Sequence, residues 1–514
     1  MQKPKQVILI LTDTQRTDML GCYGNTAMRT PCLDALSRQA VRFEKAYTCQ
    51  PVCGPARSAI FTGIWPHSNG SWANNMALGD NIKTIGQRLR DQGLHCGYVG
   101  KWHLDGSDYF GLGRCPDGWD PQYWYDMRCY LEELSESDRL RSRDIMTNNQ
   151  PNLSSEFTYA HRCSDRAIDF LRQHAEKDFF LVISYDEPHH PSLCPQPFSQ
   201  MYKNYQWPSA ANCADTLEHK PEHQRVWASS VSHEKGDAAT DQQLMAYYLG
   251  CNSFVDHQIG RVLTAVQQHA ADALLIYTSD HGDALHSHKI TNKGPVAYDE
   301  VARVPLIIRW PQHAPENVVC RHPVSHIGLS ATILDAFDLP VPQDMDGRSM
   351  LPTIRDPSIA ANREVFIEFG RYEVDHDGFG GFQPMRAVCD GRHKLVINLL
   401  SSDELYDLES DACELVNLIE SPAYRSIRDQ LHNRLLDWMN STRDPFRGYY
   451  WERRAWRTDA HAATWEYTGM TRQRENEQYE PRQLDYATGL PMVKAVRPKK
   501  LSQKMVFRYN HDRY

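Results

Sequence analysis

The sequence predicts an α/β protein: a large sheet covered by helices on both faces, followed by a smaller second unit. Three observations carry this. Short apolar runs at residues 7–11, 179–185, 274–278 and 306–309 have the length and composition of buried parallel strands. Helical apolar spacing separates them, and alternation of strands with helices is the pattern of a covered sheet. Near residue 360 the texture changes, and 514 residues are enough for one large domain and a smaller one.

In chain order, residues 7–11 form the first strand, with Asp13 just beyond its apolar run. Thr30-Pro31 reads as a helix start, with Leu33, Leu36, Ala40 and Val41 facing inward. Ala167, Ile168, Phe170 and Leu171 mark a helix before the strand at 179–185. Val255, Ile259, Val262, Leu263 and Val266 mark another before 274–278. That strand runs into Ser279-Asp280-His281. Ligands of such sheets collect at the carboxyl ends of strands, so Asp13 and Asp280-His281 fall where a site belongs. Residues 1–360 are therefore read as the catalytic unit. Strands at 363–369 and 394–398 and an amphipathic helix at 427–439 give a second unit over 361–442. The remainder, 443–514, is rich in Trp, Tyr, Arg and Pro and too aromatic for a disordered tail. It is expected to pack on the body or on a neighbouring subunit of a homo-oligomer.

The formal charge of −9, with 24% charged residues, argues against nucleic acid as the main partner. No Cys-x-x-Cys pair occurs among the 14 cysteines, which argues against zinc ribbons and thioredoxin motifs. The thiols read as small buried hydrophobes. After Met1-Gln2-Lys3-Pro4-Lys5-Gln6 the apolar run is five residues long, too short for the core of a signal peptide. No stretch has the apolar length of a membrane span, so no membrane partner is expected. The chain as given is expected in the cytoplasm with reduced thiols, or in the periplasm if a signal has been removed.

The most informative segment is Pro51-Val52-Cys53-Gly54-Pro55-Ala56-Arg57-Ser58-Ala59-Ile60-Phe61-Thr62-Gly63. A reactive cysteine is usually flanked by a histidine or a helix N-terminus that lowers its pKa. Here Gly, Pro and Arg flank it. A helix starting near Pro55 places Arg57 in its first turn, where backbone N–H groups favour anions. Asp13 and Ser279-Asp280-His281-Gly282-Asp283 add carboxylates and an imidazole. Carboxylate oxygens suit hard cations such as Ca²⁺, Mg²⁺ or Mn²⁺.

The Cys53 segment resembles the signature of type I sulfatases, in which a modifying enzyme oxidises this cysteine to Cα-formylglycine (3-oxoalanine). Asp13, the Cys53 signature, Gly100-Lys101-Trp102-His103-Leu104, Pro188-His189-His190-Pro191 and Ser279-Asp280-His281-Gly282 appear in the order found in that family, with Lys293 following. Asp346-Gly347-Arg348-Ser349 and Glu404-Leu405-Tyr406-Asp407-Leu408, with Glu414 and Asn417-Leu418, resemble its later landmarks. The resemblance covers roughly residues 5 to 420. It implies an alkaline phosphatase-like fold, with a large mixed sheet flanked by helices and a smaller C-terminal α+β subdomain. It also implies metal-dependent hydrolysis of a sulfate ester.

The roles the resemblance implies are specific. Cys53, as formylglycine made by a formylglycine-generating enzyme, is the nucleophile; its hydrate attacks sulfur and leaves a covalent sulfate ester, which collapses to the aldehyde as sulfate departs. Asp13, Asp280, His281 and the Cys53 oxygen hold one divalent cation. Arg57 and Lys101 steady the diol, His103 is a candidate base, and His189 and Lys293 face the sulfate and the leaving oxygen, with His189 the candidate acid. Asn75 adds a hydrogen bond to sulfate. The chain departs from many relatives at Thr14, where they have a second acid, and at His281, where they have Asn. A site with fewer acids and an imidazole admits Mn²⁺ or Mg²⁺ besides Ca²⁺.

Substrate recognition is read from Glu368-Phe369-Gly370-Arg371-Tyr372 and residues 376–382, a polar, aromatic, glycine-rich segment suited to a sugar. Arg371 and His376 are its candidate contacts, Arg371 for an acid group on a sulfated saccharide. Two other functions compete. One is phosphonate or phosphate ester hydrolysis, since the Cys-x-Pro-Ala-Arg form occurs among such relatives. The other is a non-catalytic binding protein, which would have lost a site residue; none is lost here.

Overall fold

The computed structural model describes residues 5–106, 109–205, 211–233, 238–373, 381–457 and 488–490. Eight strands form the larger sheet: β1 (Gln6–Asp13), β2 (Val41–Tyr47), β3 (His95–Gly100), β4 (Phe179–Pro188), β5 (Leu274–Ser279), β6 (Arg303–Arg309), β7 (Val318–Cys320) and β8 (Val324–Ser325). Their order is β3-β4-β1-β5-β6-β2-β7, with β8 also paired to β2. β1 lies at the centre of the catalytic half, parallel to both neighbours, with Ile8 opposite Leu181 on one side and Leu275 on the other.

Both faces of β1 are buried. Val7, Leu9 and Leu11 join a core with Phe61, Tyr98 and Ile276. Ile8 and Ile10 join another with Phe170, Phe254 and Ile259 from the helices Tyr159–His174 and Ala238–His269. A strand covered on both faces reads as a continuous apolar run, which is why these strands are plain in the sequence.

Three readings of this half need correction. The run at 306–309 belongs to β6, which is antiparallel to both β5 and β2, so the sheet is mixed. The helix after Thr30 ends at Ser37. Its Leu33 and Leu36 are buried as expected, but Val41 opens β2, where alternation of buried Val41 and Phe43 with half-buried Arg42 and Glu44 is strand periodicity. The signature helix runs Cys53–Thr62 and so begins two residues before Pro55.

The smaller sheet is antiparallel, in the order β12-β11-β10-β9, from β9 (Val365–Arg371), β10 (Phe382–Cys389), β11 (His393–Asn398) and β12 (Glu404–Asp407). The helix Arg425–Ser441 covers it, packing Leu431, Leu435 and Met439 with Val388, Leu395 and Ile397. β9 reaches the catalytic half: Glu368 N–H donates to the Cys49 carbonyl at 2.8 Å, just ahead of the signature. Residues 443–457 pack on the smaller unit through buried Trp451 and through Arg454, whose Nε lies 2.8 Å from Asp403. Most of the later tail, and His376, lie outside the described residues.

Candidate active site

The carboxyl ends of four adjacent parallel strands converge. β1 delivers Asp13, β5 leads into Asp280 and His281, β3 into Lys101 and His103, and β4 carries Asp186 and leads into His189. This is the edge at which ligands of such sheets bind. Gly100 makes the exit of β3 possible. Its φ is +119°, and a Cβ there would lie 1.9 Å from the Ser184 carbonyl oxygen, so a side chain would push β3 off β4. The Lys101 N–H then donates to that same carbonyl at 2.8 Å.

Cys53 is the first residue of its helix and Arg57 lies one turn on. The Gly54 N–H donates to Asn74 Oδ1 at 2.9 Å, so the helix start is fixed by a side chain. Gly63, left-handed at φ 70°, ends the helix. Every Arg57 nitrogen is engaged: Nε with Asp280 at 3.0 Å, Nη2 with Asp13 at 3.1 Å, and Nη1 with the Lys101 carbonyl and Ser184 Oγ at 2.8 and 2.7 Å. Arg57 is fully buried and clamps the two acids from behind.

Ligand atoms of Asp13, Cys53, Asp280 and His281 all lie within 4.8 Å of one another. The Cys53 sulfur is 3.1 Å from His281 Nε2 and 3.8 Å from Asp13 Oδ1. His281 Nδ1 faces the Gly282 carbonyl at 2.7 Å. A carbonyl only accepts, so Nδ1 carries the proton and Nε2 turns a lone pair toward the acids, the arrangement of metal-binding histidines. Burial also depresses His281, which favours the neutral ligand form. Burial and the adjacent Asp13 push Asp280 up to about 7. Asp13 goes the other way: burial opposes its charge, but Lys101 and Arg57 hold it well below the usual carboxylate range. Two carboxylates, one imidazole and an oxygen at Cys53 fit a hard or borderline divalent cation.

Cations line the opposite side. Lys101 Nζ bridges Asp13 at 2.8 Å and Asp186 at 3.0 Å, and lies 3.9 Å from the centre of the Tyr109 ring. The Tyr109 hydroxyl donates to Asp186 at 2.5 Å and accepts from His189 Nδ1 at 3.0 Å, a proton also shared with the His190 carbonyl. His189 Nε2 thereby accepts from Lys293 Nζ at 3.1 Å. Burial, Lys293 and Lys101 depress His189 well below the ordinary range. Burial, Lys101 and Arg57 do the same to His103, whose buried Nδ1 has no hydrogen-bond partner among the described residues. Both imidazoles are neutral near pH 7.

Asp186, Tyr109 and Asn74 are the residues that the sequence reading missed, and Tyr372 stands in the segment read for substrate recognition without being singled out there. Asn74, neighbour of the expected Asn75, fixes Gly54, and its N–H donates to the Tyr372 carbonyl at 2.8 Å. Burial raises the Tyr372 hydroxyl, and Lys293 acts on it in the opposite sense. Arg371 ends β9 opposite Phe382 and is half-buried; Asn75 is half-buried at the turn after Asn74.

The sulfatase family model matches residues 5–339, and a model described as N-sulphoglucosamine sulphohydrolase, C-terminal, matches residues 288–441. The chain belongs to the sulfatase family. It is 42% identical over 514 residues to the uncharacterized sulfatase YidJ of Escherichia coli (strain K12), spanning 98% of this chain and 100% of that one. It is 26% identical over 462 residues to an arylsulfatase of Clostridium perfringens, spanning 84% and 93%. The fold is shared with a protein solved in complex with its substrate D-glucosamine-2-N,6-O-disulfate, at a TM-score of 0.71 and 21% identity over 87% of this chain and 99% of that one. It is shared equally with the phosphonate monoester hydrolase of Agrobacterium radiobacter, at a TM-score of 0.71 and 22% identity over 86% and 96%. The sulfatase is thus a sulfuric ester hydrolase of the alkaline phosphatase-like superfamily.

Proposed function

We propose that this sulfatase hydrolyses a sulfate monoester on a saccharide, with Cys53 converted to formylglycine as nucleophile and one divalent cation held by Asp13, Asp280, His281 and the Cys53 oxygen. The observation that carries the reading is the convergence of those four ligand atoms within 4.8 Å, with Lys101 and Lys293 on the facing side. The formylglycine hydrate supplies one hydroxyl to attack sulfur and a second whose deprotonation releases sulfate. The cation polarises the sulfuryl oxygens and favours an ionised nucleophile.

The protein's own residues do the rest. Arg57 keeps two buried carboxylates side by side, so the ligand set is formed in advance. Neutral His103 is in the form a base needs to take the hydroxyl proton. Lys101 and Lys293 face the charge that develops on the sulfuryl oxygens. In the Lys293–His189 pair Nζ carries the proton and donates it to the Nε2 lone pair, so the pair can hand a proton to the leaving oxygen. Support for a saccharide comes from the sulfated glucosamine in the structural neighbour and from 23% identity over 502 residues to an N-acetylglucosamine-6-O-sulfatase of Bacteroides thetaiotaomicron. The donor set supports Ca²⁺, with Mn²⁺ and Mg²⁺ as the other cations it admits.

Co-expression with a formylglycine-generating enzyme tests this. The Cys53 peptide should carry an aldehyde by mass, and sulfate release should vanish on chelation and in Cys53→Ala. Full turnover by either the chelated protein or that variant would exclude the mechanism. The Cys-x-Pro-Ala-Arg form favours one second reading, phosphonate or phosphate ester hydrolysis. Paired aryl sulfate, phosphate diester and phosphonate ester rates separate the two.

A further inference from the structure

A cavity of about 260 Å³ is bordered by His189 and by Thr14, the residue after the metal-site Asp13. We propose that it receives the leaving alcohol and selects one without a second anionic group: a neutral hydroxylated ring rather than one that also carries a carboxylate or another sulfate. The inference rests on the sulfate ester reading above and names the class of ester.

Position comes first. A leaving oxygen protonated by the Lys293–His189 pair lies beside the His189 ring, and the group attached to it has this cavity adjacent. Its volume is just below the usual range for ligand pockets, about 300–1,000 Å³, which suits one ring and not a chain of sugars.

The lining sets the chemistry. Leu244, Met245 and Leu285 give an apolar wall. Tyr248 adds a ring without a free donor, since its hydroxyl donates to the Thr14 carbonyl at 2.7 Å. The polar side is Asp283, Asn292 and Thr291, with the imidazoles of His190 and His286 beside them; Asp283 is the one carboxylate among the lining residues described. Asp283 is 5% exposed; its Oδ1 accepts from the Leu285 N–H at 2.9 Å, Oδ2 takes no hydrogen bond from the described residues, and the carboxylate lies close enough to His190 to act on its charge. A carboxylate oxygen that no protein donor occupies is open to one from a ligand, and a ring hydroxyl supplies it. It repels a second anion for the same reason.

No lysine or arginine lines the cavity among the described residues. Arg16 sits behind the wall, with its guanidinium on Asp18 and on the carbonyls of Asp283 and Ala284. Arg143 reaches the His190 carbonyl at 3.4 Å but lies over the Phe110 ring. The wall is also preset. Leu285, His286 and Asn292 hold left-handed conformations at φ 43°, 70° and 63°, pinned by the Arg16 bonds and by Ala284 N–H to the Asn292 carbonyl at 2.8 Å. Such strain in non-glycine residues clusters at binding sites.

The test uses the metal-loaded, formylglycine-containing protein and two esters of phenols of similar acidity: 4-acetamidophenyl sulfate, neutral beyond its sulfate, and 4-(carboxymethyl)phenyl sulfate, which adds a carboxylate. The neutral ester should be favoured in kcat/KM by about tenfold or more, the scale of a like-charge clash. Asp283→Asn should shrink the ratio, and Met245→Lys, at another lining residue, should shrink it further by raising the rate on the carboxylated ester. Hydrolysis of both esters at equal rates, or a ratio unchanged in both variants, would overturn the proposal. Failure to hydrolyse either ester, together with no sulfate release from glucosamine 6-sulfate, would remove the sulfate ester reading itself, and the proposal with it; release from the sugar alone would overturn the proposal for this cavity.

Discussion

Lys293 Nζ lies 3.1 Å from His189 Nε2, and the other nitrogen of that ring is 3.0 Å from both the Tyr109 hydroxyl and the His190 carbonyl. The imidazole is thus held in one tautomer by groups on three separate segments. An ammonium facing Nε2 keeps the ring from taking a second proton. On the proposed mechanism, the proton for the leaving oxygen rests on the lysine.

The first prediction follows from that contact. Burial, then Lys293, depresses His189. In Lys293→Ala the histidine should titrate at higher pH than in the parent, while kcat falls on every sulfate ester. Titration of labelled histidine followed by NMR reads the shift; an unmoved His189 would show that the lysine does not set its protonation.

Tyr109→Phe should act on orientation and not on charge. The hydroxyl is the link between Asp186 and His189 Nδ1. Its loss should lower kcat about tenfold with KM little changed, the pattern of an interaction that matters in the transition state. A rise in KM alone would place Tyr109 in substrate binding instead.

Arg57→Ala strands Asp13 and Asp280 as neighbouring buried acids. Breaking such a cluster costs about 3–5 kcal/mol. Urea unfolding should show that loss, and saturating divalent cation should recover much of it, because the ion replaces the missing charge. A loss of equal size with and without metal would mean that Arg57 serves packing alone.

Glu187 governs a pH dependence of stability. Burial, and then Asp186, push it up to about 8 from 4.5. Between those values the folded chain keeps a proton that the unfolded chain has released. This contribution to stability is therefore full below the lower value and is lost as pH rises through the upper one. Glu187→Gln, which keeps the acceptor for the Ala160 N–H at 2.9 Å, should flatten the urea midpoint across that window. An unchanged slope would place the titration elsewhere.

Much of this site was legible in the chain. Asp13 and Asp280 follow apolar runs buried on both faces, so the strand ends, and the acids at them, could be located. Asp186 was hidden because β4 runs on to Pro188, past the apolar residues that define it in the sequence. Tyr109 lies in a stretch without periodicity and reaches the site only through tertiary contacts. Asn75 was read for a hydrogen bond to sulfate; the part Asn74 plays at Gly54 is set by the backbone and leaves no mark in the sequence. β2 was misread because its alternation follows directly on a helical run. Arg57 was expected to steady the nucleophile; in the fold its donors face the two acids and a neighbouring carbonyl and hydroxyl.

The burial of Cys53, 1% exposed at the start of its helix, also fixes an order of events. Any enzyme that oxidises this residue has to hold the segment around Pro51 to Thr62 in an open form that the finished protein does not offer. β1 gains one flank only when β4 has been made and the other only with β5, so the site stays unassembled while most of the catalytic half is still to come. Maturation and collapse thus compete in time. On the proposed formylglycine mechanism, the yield of active molecules depends on how quickly the oxidising enzyme meets the nascent chain, and a molecule that folds first is committed to a thiol.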